Sequence, residues 1–385
     1  MRRFRAVALV GLAAVGPARG QDMSWPTRGW PTASPEAQGV DADRLAVLDR
    51  EFASGQHGYV DGMLIVRGGR LVYQKAYTHD YDRLFPKETA RGPYNYYDPD
   101  WHPYYRRGEL HTMQSVSKSV TATLVGIALR RGEIGAVSDL ALPYFEGYKQ
   151  PLDPRWKGMT LRHLLTMSAG IRWDESSVSY TDPANHCARM EQSQDWIQFV
   201  LDQPLAADPG TVFVYNSGVT ELLAQVLKRA TGKHADAYAA EHLFGPLGIQ
   251  SFYWKKTPTG HPDTEGGLYL TAGDLAKLGL LYAKDGMWDG RRILPEGFAR
   301  DATAPHIETL SAGVRRRKYG FQWWVLPDPE GARVSAFAAL GYGGQRLIVA
   351  PERDLIAVFT GWNIYDKAEL GAFLALDRVL AALTR

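Results

Sequence analysis

The chain predicts a mixed α/β (α+β) fold: an antiparallel sheet built from both ends of the sequence, flanked by N- and C-terminal helices, with a mainly helical lobe inserted between them. Three observations predict it. Residues 62–67 and 70–77 are two apolar, β-rich runs joined by Gly68-Gly69, a β-hairpin signal. Residues 345–350 and 355–360 repeat that pattern around a turn from Pro351 to Asp354. Helical periodicity precedes the first hairpin, over 39–54 with Leu45, Leu48 and Phe52 on one side, and follows the second over about 367–383.

A hairpin cannot bury a face alone, so the two are expected to share one sheet covered by the terminal helices. That α/β lobe takes about 35–130 and 300–385. The stretch of about 131–300 reads as the helical lobe, with helical segments at 161–167, 196–201, 219–231 and 272–284. The cleft between lobes is the default place for a site. Two stretches fit neither lobe as regular structure. Residues 94–105 hold Tyr94, Tyr96, Tyr97, Trp101, Tyr104 and Tyr105, either a structural cover or a cleft wall. Residues 173–194 are polar and irregular.

The first 20 residues read as a signal peptide: Arg2, Arg3 and Arg5, an apolar run from Ala6 to Gly16, then Ala18-Arg19-Gly20 before a cleavage point near Gly20. The expectation is an exported protein, periplasmic or secreted, by either the general or the twin-arginine route. Removing that segment takes four arginines and no acids, turning a formal charge of +2 into −2. With no basic stripe, nucleic acid is not an expected partner. No later run is long and apolar enough for a membrane span. Cys187 is the only cysteine. An internal disulfide is therefore impossible, and nothing near it in sequence would activate a thiol. The ten histidines show no HExxH or similar pattern, so no metal and no other cofactor is expected.

The chemistry-bearing motif is Ser115-Val116-Ser117-Lys118. It opens a strongly apolar helical stretch, with Val116, Val120, Leu124 and Ile127 at helical intervals and Gly132 as a stop. Three-residue spacing puts the hydroxyl and the amine one turn apart on one face, a nucleophile beside a candidate base. A serine at this position is also a common helix cap. No GxSxG elbow occurs anywhere. A second group is Tyr215, in Phe213-Val214-Tyr215-Asn216-Ser217-Gly218, a short apolar run ending in a polar turn that leads into a helix. It could serve as general base or acid if nearby cations lower its pKa toward working pH. The third is Gly341-Tyr342-Gly343-Gly344, where glycines let backbone approach a ligand and leave N–H groups to bind an oxyanion.

Together Ser115-x-x-Lys118, Tyr215-x-Ser217 and the Gly-rich turn before the penultimate strand resemble the penicillin-recognising serine hydrolases, specifically the class C β-lactamase-related branch. Supporting phrases run from Leu161 to Gly170 and from Gly266 to Ala276, and the resemblance covers almost the whole mature chain. It implies a β-lactamase/transpeptidase-like fold, catalysis by Ser115, Lys118 and Tyr215, and an oxyanion site between the backbone N–H groups of Ser115 and Tyr342. Ser217, Gly343 and Gly344 then fall beside the substrate. Two departures narrow the function: Ser217 stands where the lactamases usually carry Asn, and Ala339-Leu340 stand where a cation precedes the glycines. The pattern is similar to the esterases and the 6-aminohexanoate-dimer hydrolases of this superfamily. That similarity implies a small-molecule ester or amide substrate, with Tyr180 against it and Glu191 meeting a cationic group. A β-lactamase or D-alanyl-D-alanine carboxypeptidase, and a non-catalytic binding protein of the same fold, remain as alternatives. Oligomeric state and the resting protonation of Lys118 stay open.

Overall fold

The computed structural model describes residues 24–84, 106–309, 315–364 and 369–384. The expected signal peptide and the aromatic 94–105 stretch lie outside them. The two hairpins form where expected, as β1 (Val60–Arg67) with β2 (Arg70–Ala76) and, at the far end, Gln345–Ala350 with Leu355–Gly361. Four further strands join the same sheet: β3 (Ile307–Glu308), β4 (Lys318–Tyr319), β5 (Trp324–Pro327) and β6 (Val334–Gly341), so the second hairpin is β7 and β8. The order is β2-β1-β8-β7-β6-β5-β4-β3, all antiparallel. β1 meets β8 in the register Met63↔Phe359 and Ile65↔Ala357, which is how the chain ends come to share one sheet.

The run Met63-Leu64-Ile65-Val66 is apolar at every position because both faces of the sheet are covered. Met63 and Ile65 pack with Leu45, Leu48 and Phe52 of α1 (Ala42–Ala53) and with Leu376 and Val379 near the C-terminus. Leu64 and Val66 face the larger core, with α2 (Val116–Arg130). The closing helix spans Ala372–Ala381, shorter than its periodicity predicts. On the inner face a glycine at position 279 lets its helix, Ala272–Ala283, lie close: a Cβ there would meet Leu347, Val349 and Ile356 at 3.0–3.1 Å.

The inserted segments are helical as expected at Leu161–Leu165, Trp196–Leu201 and Ala272–Ala283, and the helix after Tyr215 runs Ser217–Thr231, packed directly on α2. Two features were not anticipated. A small second sheet pairs Arg106–Arg107, Leu110–Thr112, Leu268–Leu270 and Tyr253–Trp254. Strands of two or three residues carry no readable alternation. Within the supposedly irregular 173–194 stretch, His186–Gln192 is a helix, here α3. Its start was legible, since Asn185 caps it by accepting from the N–H groups of Cys187 and Ala188. Its apolar stripe was not, because Glu191 takes a buried position on it. Among the described residues no helix is long and apolar enough to cross a membrane. The remaining helices used below are α4 (Ser217–Thr231), α5 (Ala272–Ala283) and α6 (Ala372–Ala381).

Candidate active site

The strand Leu110–Thr112 delivers the chain to Ser115 through Gln114, whose φ of 47° is left-handed and turns strand into helix. Ser115 stands at the cap position of α2, but its side chain makes no capping bond. Its Oγ instead accepts from Lys118 Nζ at 2.9 Å. The capping explanation of this serine is thereby removed. Lys118 is only 1% exposed, and its three ammonium protons have three acceptors: Ser115 Oγ, the Glu265 carbonyl oxygen at 2.8 Å and Glu265 Oε2 at 3.0 Å.

Tyr215 completes the group. Asn216 caps α4 by accepting from Val219 N–H, so Tyr215 is presented just before the helix. Its ring lies 5.3 Å from Lys118 Nζ and stacks on Trp324, centroids 5.7 Å apart at 23°. Ser115 is among the groups that act on its phenol, favouring the ionised form.

A buried glutamate, Glu175, ties further predicted residues together. Its Oε2 accepts from Trp173 Nε1 at 2.5 Å and Ser217 N–H at 2.8 Å, and its Oε1 accepts from the hydroxyls of Ser217 at 2.8 Å and Tyr180 at 3.0 Å. The Tyr180 ring rests against Tyr342, 5.1 Å between centroids, and the Tyr342 hydroxyl donates to the Ile364 carbonyl oxygen. The pocket at Ser115 is lined by Gln114, Tyr180, Cys187, Glu191, Lys255, Asp263, Glu265, Gly266, Gly267 and Tyr342.

The predicted residues thus fall into four positions. Ser115, Lys118 and Tyr215 touch one another, and Tyr180, Glu191 and Tyr342 stand with Ser115 on the pocket wall. Ser217 lies behind the wall with its hydroxyl on Glu175. Gly343 and Gly344, at φ of 80° and 107°, form the β6–β7 turn next to Tyr342 and are not lining residues. Sequence reasoning missed Glu175, Glu221, Lys255, Asp263 and Glu265. Glu265 directly precedes the Gly266-Gly267 phrase already singled out, but nothing local says that a side chain 147 positions away meets Lys118.

The buried charges set the protonation states. Burial works against the Lys118 ammonium, but Tyr215, Glu265 and Glu175 outweigh it and hold its pKa well above the usual lysine value. Burial raises Glu265, and Lys118 more than reverses this, keeping Glu265 ionised. For Tyr215, burial pushes the phenol up, Lys118 opposes and Glu175 adds, with the net direction upward. The cation beside Tyr215 is therefore insufficient to bring it toward neutral pH, because burial and carboxylates dominate. Both directions favour the protonated forms, an ammonium and a neutral phenol, with Glu265 then the carboxylate that holds the ammonium.

Elsewhere in the pocket, burial pushes Glu191 well up, Lys255 opposes, and Glu265 and Asp263 reinforce the rise. Asp263 is pushed up to about 6 by burial and Glu265, against Lys255. Burial and the neighbouring carboxylates keep Cys187 a thiol. Cys187, Glu191 and Glu265 offer three possible metal-ligand atoms within 4.8 Å of one another. Glu265 Oε2 accepts from Lys118, and its other oxygen, Oε1, accepts from Cys187 Sγ at 3.7 Å.

A sheet covered on both faces, with a helix-borne Ser-x-x-Lys against a tyrosine, is the arrangement of a β-lactamase/transpeptidase-like fold. The chain belongs to the Beta-lactamase family, whose model matches residues 48–364. A 6-aminohexanoate-dimer hydrolase of Paenarthrobacter ureafaciens is 27% identical over 307 residues, covering 73% of this chain and 76% of the relative. The fold is shared with a family VIII carboxylesterase, at a TM-score of 0.65 and 16% identity over 91% of this chain and 98% of that one. It is shared too with the octameric penicillin-binding protein homologue from Pyrococcus abyssi, at a TM-score of 0.64 and 18% identity over 88% of this chain and 77% of the other.

Proposed function

We propose that this protein is a serine hydrolase that cleaves an ester or amide bond of a small substrate through an acyl-enzyme on Ser115. The observation that carries the reading is the 2.9 Å contact from Lys118 Nζ to Ser115 Oγ, made by a buried ammonium that also lies 5.3 Å from the Tyr215 ring. Oγ attacks the carbonyl carbon while its proton passes to the Tyr215 oxygen, and the phenol's own proton passes to the leaving group. In deacylation a water attacks, its proton passes to Tyr215, and the phenol returns a proton to Oγ. Lys118 stays an ammonium throughout and stabilises negative charge on Oγ and on Tyr215. The carbonyl oxygen would sit between the backbone N–H groups of Ser115 and Tyr342, residues that share the pocket wall. Each such donor is worth about 10²- to 10³-fold in kcat.

The pocket sets Glu191, Asp263 and Glu265 against Lys118 and Lys255. Ala339-Leu340 stand where a cation would precede the glycines, which removes one group that could hold a substrate carboxylate of the kind β-lactams and D-alanyl peptides carry. The name of the Paenarthrobacter relative points to an amide substrate. The test is turnover of p-nitrophenyl butyrate beside nitrocefin, with Ser115→Ala as control. The expected result is ester turnover abolished by Ser115→Ala at unchanged Tm, with little nitrocefin turnover. Wild-type turnover in Ser115→Ala would refute the nucleophile, strong nitrocefin turnover would refute the substrate class, and no labelling by a serine-directed probe would favour a binding protein.

A further inference from the structure

Glu221, on α4, is 0% exposed and does not line the pocket, yet three donors converge on one of its oxygens. Its Oε1 accepts from Thr264 N–H at 2.7 Å, Thr264 Oγ1 at 2.9 Å and Glu265 N–H at 3.0 Å. Its Oε2 is buried with no hydrogen-bond partner. An ionised carboxylate with one bare oxygen, buried near the acidic Asp263 and Glu265, would be an uncompensated buried charge. A protonated Oε2 leaves at worst one unmet hydroxyl donor, a smaller cost.

The three bonds hold the residue whose carbonyl and carboxylate oxygens both accept from Lys118. We propose that Glu221 is a positioning residue, kept as the neutral acid, that clamps the Thr264-Glu265 backbone to α4 and so fixes the ionic partner of Lys118. Tyr215 precedes α4 and Ser217 opens it, so one helix registers the phenol, the Glu175 contact and the Glu265 contact against α2. The groups facing Lys118 are Ser115, Tyr215, Glu265, Glu175 and Cys187, and those facing Glu221 are Asp263, Glu265 and Thr264. Releasing the clamp withdraws one carboxylate from this set and leaves the others.

The inference rests on the acyl-enzyme reading, and its test separates the two. The pH dependence of ester kcat/KM and of serine-probe labelling is measured for wild type, Glu221→Leu, Glu221→Gln and Glu265→Gln, with Lys118 titrated in parallel by NMR of ¹³C-labelled lysine. Glu221→Leu is expected to lower kcat/KM about tenfold at neutral pH and to move the alkaline limb and the Lys118 titration down by about one pH unit. Glu221→Gln keeps an accepting oxygen without a charge and is expected to restore both. Added to Glu265→Gln, Glu221→Leu is expected to give no further movement of the limb. A folded Glu221→Leu with a lowered Tm but an unmoved Lys118 titration would overturn the inference and leave a merely structural residue. So would a Glu221→Gln that behaves like Glu221→Leu. If Glu221→Leu does not fold, Thr264→Val carries the test: it removes one of the three donors and is expected to move the titration in the same direction by about half a unit, and no movement overturns the inference. Absence of wild-type turnover and labelling would sink the acyl-enzyme reading alone, since the NMR titration still reports on the clamp.

Discussion

The two faces of the central sheet are built from different chemistry. Against α1 and α6 the core is Leu45, Leu48, Phe52, Met63, Ile65, Ile348, Phe359, Leu376 and Val379, and the buried charge beside it, Arg346, donates to the Leu370 carbonyl oxygen and pairs with Glu369. On the other face α2 is buried nearly all round and includes Ser117, Lys118, Ser119, Thr121 and Thr123, with Glu175, Glu221 and Glu265 behind it. The first face, remote from Ser115, depends chiefly on volume and apolar area, so its losses should be losses of stability. The other holds charges that are tolerable only while each keeps its partners, so its losses should reach protonation and catalysis as well.

Four substitutions sharpen or break that contrast, in descending order of expected effect. Lys118→Met leaves Glu265 buried without its cation. The expected loss is about 10²- to 10⁴-fold in kcat for p-nitrophenyl butyrate together with about 3–5 kcal/mol of stability in urea unfolding. A variant that lost stability but kept turnover would remove Lys118 from the mechanism. Phe52→Ala, on the opposite face, should cost about 3–5 kcal/mol by cavity formation while kcat/KM of the folded protein stays within about twofold. A large fall in kcat/KM would show that the faces are not separable.

Glu265→Gln should act mainly through pH. Lys118 is raised in the folded protein, so its charge is present at low pH and lost as pH rises through the folded value. Removing the Glu265 charge lowers that value, and the alkaline limb of kcat/KM should move down by about one unit. The wild-type Glu265 carboxylate is held below its usual range, so the pair's stabilisation is lost only as pH falls through that lowered value. An unmoved alkaline limb would assign it to another group. Ser217→Ala removes one of four donors on Glu175 and keeps the backbone N–H, for about 1 kcal/mol and a few-fold in kcat. A loss as large as that of Lys118→Met would put Ser217 in contact with substrate rather than behind the wall.

Most of the fold was readable because its signals are local. Gly68-Gly69 and the turn from Pro351 to Asp354 mark hairpins, and Leu45, Leu48 and Phe52 mark a face. The short strands Ile307–Glu308 and Lys318–Tyr319 were not readable, being too brief to show a period. In the site, Ser115, Lys118 and Tyr215 were legible as a motif and do converge. Glu175 and Glu265 were not, since an acidic residue in a loop reads as solvated until the fold buries it.

The sequence by itself determined the two hairpins, the principal helices and the placing of a hydroxyl and an amine on one helical face, because these follow from spacings of a few residues. Only the tertiary structure decided what that amine is. Its carboxylate partner lies 147 residues away, its phenol neighbour 97, and the water that would have screened them is displaced by packing. Charge state depends on burial and on every nearby group at once, and both are properties of the folded chain rather than of any segment of it.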